Sequence, residues 1–139
     1  IGGEIRATTF KYEKQPWKAG IIDPLEQQKI VYAFSSSDFN SFALATSGDY
    51  RNVRVFENQK LSHTIDTISG VPSNYSQKSV SVIAENAMMA DALATALNAM
   101  PLNEAIEYSN RNRLYVLFIT EEENSPKLLF SDELQRVKM

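Results

Sequence analysis

Asp91 and Thr95 place a carboxylate and a hydroxyl four residues apart in the stretch of residues 86–98. Side chains at positions i and i+4 of a helix lie one above the other on the same face. Apart from an Asn at each end, every other residue of this stretch is small or apolar. An isolated carboxylate in such surroundings costs stability unless its charge is met. A hard cation such as Mg²⁺, which prefers oxygen ligands, would meet it; in the alternative interpretation, both side chains face solvent or make a contact on the helix surface.

His63 is the only histidine of the chain, and it lies between Leu61 and Ile65 on one face of a predicted strand. A lone histidine among apolar neighbours is typical of a structural residue, although an imidazole can also transfer protons near neutral pH. A single histidine excludes a site with several histidine ligands. The sequence has no cysteine, which excludes disulfides and thiolate metal sites.

The composition is that of an ordinary globular domain. The 139 residues are enough for one domain with a hydrophobic core, and 43% of them are apolar. The net charge is −3 with no basic stripe, so we expect no nucleic-acid partner. No apolar run approaches the roughly 18 residues of a membrane span. A Gly-Lys-Ser phosphate loop and a Rossmann glycine pattern are both absent from the sequence.

The hydrophobic pattern predicts a sheet followed by helices. Strands are predicted over residues 1–10, 17–22, 29–35, 41–46, 51–57, 60–65, 78–84, 114–119 and 127–130, and helices over 86–98, 103–111 and 131–137. Asn86 is a suitable N-cap for the first helix, and Pro101 ends it. We predict an apolar stripe on this helix from Met89, Leu93, Ala96, Leu97 and Met100. The predicted fold class is α+β, a mostly antiparallel sheet with two or three helices packed on one side.

Five segments together resemble the ApbE family of FAD:protein FMN transferases. They are Gly-Gly-Glu at residues 2–4, Trp-Lys-Ala-Gly-Ile at 17–21, Ser-Gly-Asp-Tyr at 47–50, His-Thr-Ile-Asp-Thr-Ile-Ser-Gly-Val-Pro at 63–72, and Ala-Asp-Ala-Leu-Ala-Thr-Ala at 90–96. They occur in the order in which the family has them. Thr67, Ser69 and Ala94 depart from the residues that are usual in the family, which are Pro, Thr and, in some relatives, a second Asp.

The resemblance implies a domain boundary. Family members are roughly twice as long, so we expect residues 1–139 to be the C-terminal part of an ApbE-like flavin transferase domain whose N-terminal half is absent. The absent half would hold much of the flavin pocket and a backbone ligand of the metal. We therefore expect residues 1–139 alone to be inactive and to self-associate as a two-fold dimer over the strand edge left exposed.

The resemblance also implies roles for four residues. Asp91 and Thr95 correspond to side-chain ligands of Mg²⁺. His63 corresponds to a residue beside the FAD pyrophosphate, where it would donate a hydrogen bond to phosphate or transfer a proton. Ile65 corresponds to a position whose backbone approaches the flavin nucleotide, although an apolar residue here is also consistent with a place in the core.

The function implied by the resemblance is transfer of FMN from FAD to a Thr or Ser of an acceptor redox protein, with Mg²⁺ as cofactor and AMP as product. Two alternatives stay open: an FAD pyrophosphatase, in which water replaces the acceptor, and a non-catalytic flavin-binding or interaction module. Family members are typically exported and lipid-anchored in bacteria, so the expected location of the intact protein is the periplasm, at a membrane.

Overall fold

The chain folds into nine strands and three helices within its described part. The computed structural model describes residues 4–26, 28–48, 54–56, 59–61, 65, 70 and 76–138, and for 54–56, 59–61 and 138 it describes the backbone alone. In chain order the elements are β1 (Ile5–Ala7), β2 (Lys18–Ile22), β3 (Ile30–Ser35), β4 (Phe42–Gly48), β5 (Arg54–Phe56), β6 (Gln59–Leu61), β7 (Gln77–Ala84), α1 (Ala87–Asn98), α2 (Leu102–Arg111), β8 (Tyr115–Glu122), β9 (Ser125–Phe130) and α3 (Asp132–Lys138). No helix in these ranges is both long and apolar enough to span a bilayer.

A five-stranded sheet in the order β1-β4-β7-β8-β9 forms the centre of the molecule, and all its neighbouring strands are antiparallel. β2 pairs with β3, and β5 pairs with β6. The predicted hairpin around residues 58 and 59 is confirmed, since Phe56 pairs with Gln59. β7 is the middle strand of the sheet, and the apolar strand β8 is also an inner strand. The α+β class and the antiparallel sheet are therefore confirmed.

The two faces of the sheet carry two separate cores, because successive side chains of a strand point to opposite faces. Val116 and Phe118 of β8 face a core that includes the apolar residues of α1 and α2. Leu117 and Ile119 face the β2–β3 hairpin and Leu134 of α3. Two helices thus share one side, as predicted, while α3 lies on the other. Its amphipathic pattern could not reveal which face it would cover.

The ends of α1 are set by local side chains. The Asn86 side-chain oxygen accepts a hydrogen bond from the Met89 backbone N–H at 2.9 Å, which confirms the predicted N-cap. The helix ends at Asn98, and Pro101 becomes the N-cap of α2. Proline is tolerated there because the first N–H groups of a helix have no intrahelical acceptor.

Gln77 caps the other end of α1 from the sheet. The register between β7 and β8 shifts between Gln77 and Ser79, as in a β-bulge. The Gln77 Nε2 group donates to the carbonyl oxygens of Leu97, Asn98 and Met100, at 3.3, 3.3 and 2.6 Å. Since the last carbonyls of a helix lack intrahelical partners, this amide supplies a donor at the end of α1. The Leu97 carbonyl also accepts from the Met100 backbone N–H at 3.4 Å.

We expect Gln77→Glu to lower the free energy of unfolding by about 1–3 kcal/mol, because it removes the donor and places a carboxylate against three carbonyls. The matched control is Gln135→Glu, since the exposed Gln135 amide also donates to a carbonyl, that of Phe130, at 3.0 Å. This control should change stability by less than about 0.5 kcal/mol. Urea denaturation followed by circular dichroism measures both, and equal losses would show that the cap does not stabilise α1.

Candidate functional site

α1 lies on the sheet through its smallest residues. Ala90, Ala94 and Leu97 are fully buried in the core shared with β4 and β7. The predicted apolar stripe is partly wrong: Leu97 is buried as expected, but Met89 is 45% exposed and Ala96 is exposed. The reason is that alanines let a helix approach a sheet closely, so the face richest in Ala, rather than the one with the larger Met, makes the contact.

Asp91 and Thr95 lie on a flank of α1, about 100° around the helix from the buried Ala90 and Ala94, and both are exposed. They stand one turn apart, where Cβ atoms are typically about 5–6 Å from each other. Within the described ranges neither side chain has a hydrogen-bond or ion-pair partner. The structure therefore places together the two predicted metal ligands as free oxygen donors on an accessible surface.

The donor set of Asp91 and Thr95 fits a hard cation. A carboxylate and a hydroxyl are oxygen ligands of the kind Mg²⁺ takes, and Mg²⁺ usually keeps several waters and few protein ligands. Across the described residues no group of three or more His, Cys, Asp or Glu side chains could hold a metal by itself. Water and substrate phosphate are further ligands that would complete the coordination of such an ion.

Asn98 continues the line of Asp91 and Thr95, since it follows Asp91 by seven residues, or about two turns. It is only 2% exposed. Its Oδ1 and Nδ2 atoms, like Oε1 of Gln77, have no hydrogen-bond partner among the described residues. Along this side of α1, the polar side chains are therefore exposed at Asp91 and Thr95 and buried at Asn98. We did not predict this feature, although the seven-residue spacing could have indicated it.

The segment predicted to contact the flavin nucleotide is described only at two residues. His63 lies outside the described residues, so its role stays a prediction. Ile65 is 47% exposed, which shows that it is not a core residue. Gly70 has φ +70, a left-handed conformation that favours glycine, and no heavy atom of another described residue lies within 4 Å of where a Cβ would stand.

Most of the chain matches the model of a known family. Residues 1–118 match the model of the ApbE family. The chain is 34% identical over 135 residues to the FAD:protein FMN transferase of Escherichia coli strain K12, covering 97% of this chain and 38% of that protein. It is 35% identical over 127 residues to the FAD:protein FMN transferase of Vibrio cholerae serotype O1, covering 91% of this chain and 37% of that protein.

Solved structures show the same fold. A histidine-to-glycine variant of the flavin transferase ApbE from Vibrio cholerae superimposes with a TM-score of 0.77 at 32% identity, over 99% of this chain and 42% of that one. The apo form of Pseudomonas stutzeri flavinyl transferase ApbE gives a TM-score of 0.80 at 26% identity, over 99% of this chain and 42% of that one. The chain thus spans about two fifths of the length of the proteins it matches.

Proposed function

Because this chain belongs to the ApbE family, we propose that the intact protein is a Mg²⁺-dependent enzyme that transfers FMN from FAD to a Thr or Ser of an acceptor redox protein. The named relatives are FAD:protein FMN transferases, which supports the flavin substrate. The observation that carries the proposal is the pair of Asp91 and Thr95, which are exposed, one turn apart on α1 and without a hydrogen-bond or ion-pair partner among the described residues. This pair matches the chemistry that a pyrophosphate substrate requires.

The proposed reaction is a phosphoryl-type displacement. The acceptor hydroxyl oxygen forms a bond to the phosphorus on the FMN side of the FAD pyrophosphate. The bond from that phosphorus to the bridging oxygen breaks, and AMP leaves with the electron pair. Catalysis of such a step consists mainly of positioning and of neutralising phosphate charge.

Asp91 and Thr95 would hold Mg²⁺ from the exposed flank of α1. Bound there, the ion would supply neutralisation of the pyrophosphate charge. The rigid helix fixes both donors before substrate arrives, because its inner face is buried on β4 and β7. His63 would face the phosphate, where it either donates a hydrogen bond or accepts the proton of the acceptor hydroxyl. Ile65, exposed in the structure, is accessible to a nucleotide.

We expect the intact protein, given FAD, Mg²⁺ and an acceptor subunit expressed without its flavin, to label the acceptor covalently. Flavin fluorescence on a denaturing gel and AMP by chromatography should appear in equal amounts. AMP with free FMN in the absence of any acceptor would instead establish the pyrophosphatase. Tight FAD binding with no AMP formed would contradict the proposed catalysis and would favour the non-catalytic flavin-binding module.

Three further expectations belong to this proposal. Residues 1–139 alone should bind FAD weakly and not turn it over, since affinity falls when contacts and preorganisation are lost.

Self-association of these residues through the edge strand β1, where Ile5 is 43% exposed, stays a prediction. A periplasmic, lipid-anchored location of the intact protein is likewise proposed from the resemblance.

A further inference from the structure

A cavity of about 420 Å³ lies at the end of the sheet where β7 stops and α1 begins. Its lining includes Phe39, Ile83, Glu85, Leu93, Arg113 and Tyr115. Small-molecule sites typically have volumes of about 300–1,000 Å³, mostly apolar walls and a few polar groups. The size and composition of this cavity are therefore those of a small-ligand site.

The cavity is distinct from the Asp91–Thr95 pair. Met89 and Leu93 are the residues that α1 contributes to it. Each is two residues from Asp91, which corresponds to about 200° around the helix. The cavity and the proposed metal ligands therefore lie on opposite sides of α1, and a ligand in one does not occupy the other.

The cavity has a firm aromatic wall. Phe39 is 7% exposed and Ile83 3% exposed, so both are held by the core beneath them. The rings of Phe39 and Tyr115 pack edge to face, with centroids 5.2 Å apart. Such pairs hold their orientation without a ligand. This wall can accept an apolar ring or chain without rearranging.

Arg113 stands where a glycine would be easier to accommodate. It follows the C-cap Asn112 of α2 and has φ 52, the left-handed conformation usual for glycine after a helix. The Leu114 N–H donates to the Ser109 carbonyl at 2.9 Å, as in a Schellman motif. A cationic side chain at a strained backbone position on the cavity rim has no ion-pair partner within the described ranges.

Glu85 and Arg113 both line the cavity, at the end where β7 and β8 stop pairing. Ile83 and Tyr115 form the last pair of the two strands, so Glu85 follows the β7 end of this ladder by two residues and Arg113 precedes the β8 end by two. The two opposite charges nevertheless form no ion pair with each other or with any other described residue. The rim therefore presents one cation and one anion above an apolar wall.

We propose that this cavity binds a small zwitterion that carries an apolar group, of the chemical class of an apolar α-amino acid. Arg113 binds the carboxylate, Glu85 binds the ammonium group, and the apolar group packs against Phe39 and Tyr115. The charge pair accounts for both ends of such a ligand, which neither a simple anion nor an uncharged apolar molecule would use. The inference does not depend on flavin transfer.

Three probes test the site in the intact protein. L-phenylalanine carries both charged groups, 3-phenylpropionate lacks the ammonium group, and 2-phenylethylamine lacks the carboxylate. Methyl NMR titration reports binding directly, because Ile83 and Leu93 line the cavity. We expect saturable shifts of these methyl groups with L-phenylalanine, and an affinity about fivefold or more lower for each probe that lacks one charge, as for exposed ion pairs of about 1 kcal/mol.

Charge-neutralising variants assign the partners. Arg113→Gln should weaken L-phenylalanine about fivefold, and Glu85→Gln should make L-phenylalanine and 3-phenylpropionate bind equally. The matched control is Arg111→Gln, two residues away and paired with Glu107 on α2, which should leave every affinity unchanged. Absence of saturable shifts up to about 10 mM L-phenylalanine, a regime weaker than most specific sites, would overturn the proposal. Equal affinities for all three probes, or an unaltered affinity in Arg113→Gln, would do the same.

Discussion

Asp91→Asn in the intact protein is expected to lower Mg²⁺-dependent FMN transfer by about 100-fold or more. The amide keeps the size of the carboxylate but loses its charge, and loss of even an indirect metal contact typically costs about 10–100-fold. Because Asp91 is exposed and unpartnered in the described structure, its replacement should leave the fold intact. Initial rates measured over a Mg²⁺ titration separate weaker metal binding from a slower chemical step.

Three further variants show whether the effect belongs to the metal site. Thr95→Val removes the second oxygen donor and should also reduce the rate, while Thr95→Ser keeps the hydroxyl and should retain most of it. Glu104→Gln removes an exposed carboxylate in the first turn of α2 and should have no effect. Full activity of Asp91→Asn at limiting Mg²⁺ would remove Asp91 from the metal site, whatever the behaviour of Thr95.

Local signals in the sequence predicted where most elements begin and end. Asn86 predicts the start of α1 because its side chain can bond an N–H that the helix leaves free. Pro101 predicts the break between α1 and α2 for a similar local reason. The strands predicted over residues 114–119 and 127–130 are longer in the structure, because Glu123 and Asn124, both at positive φ, form the turn and the strands continue on either side of it.

Long-range packing determines several features of the fold that the sequence pattern does not predict. From the sequence pattern alone, either Met89 or Ala90 could face the core. In the structure Ala90 is buried and Met89 is exposed, because the helix lies close to the sheet. The capping of α1 by Gln77 joins residues that are 20 to 23 positions apart, and no local rule predicts it. The position of α3 on the face opposite α1 is likewise a matter of tertiary packing.

The candidate site was predictable only where it depends on local sequence. The spacing of Asp91 and Thr95 is local, so a helix was enough to bring them together. Their exposure was only one of the interpretations that the sequence left open. The cavity near Arg113 was not predicted, since it combines residues of β7, α1 and β8 with residues of three connections. Its one local signal was an arginine in place of the usual glycine after α2.

A truncation in the core beneath α1 is expected to cause a large loss of stability. Phe118 of β8 is completely buried and packs in one core with Ala90, Ala94 and Leu97 of α1. Phe118→Ala deletes a ring from this closely packed interior and leaves a cavity under the helix. We expect the free energy of unfolding to fall by about 3–5 kcal/mol, the range seen for such truncations.

Urea denaturation of the intact protein measures this loss, and two variants calibrate it. Met88→Ala truncates a side chain that is 75% exposed on α1 and should cost less than about 0.5 kcal/mol. Phe118→Leu keeps most of the buried volume and should fall between the two. A loss below about 1 kcal/mol for Phe118→Ala would contradict a tightly packed base for α1. The proposed metal ligands would then lack the rigid support that their preorganisation requires, because in the described structure Asp91 and Thr95 are positioned by the buried face of their own helix.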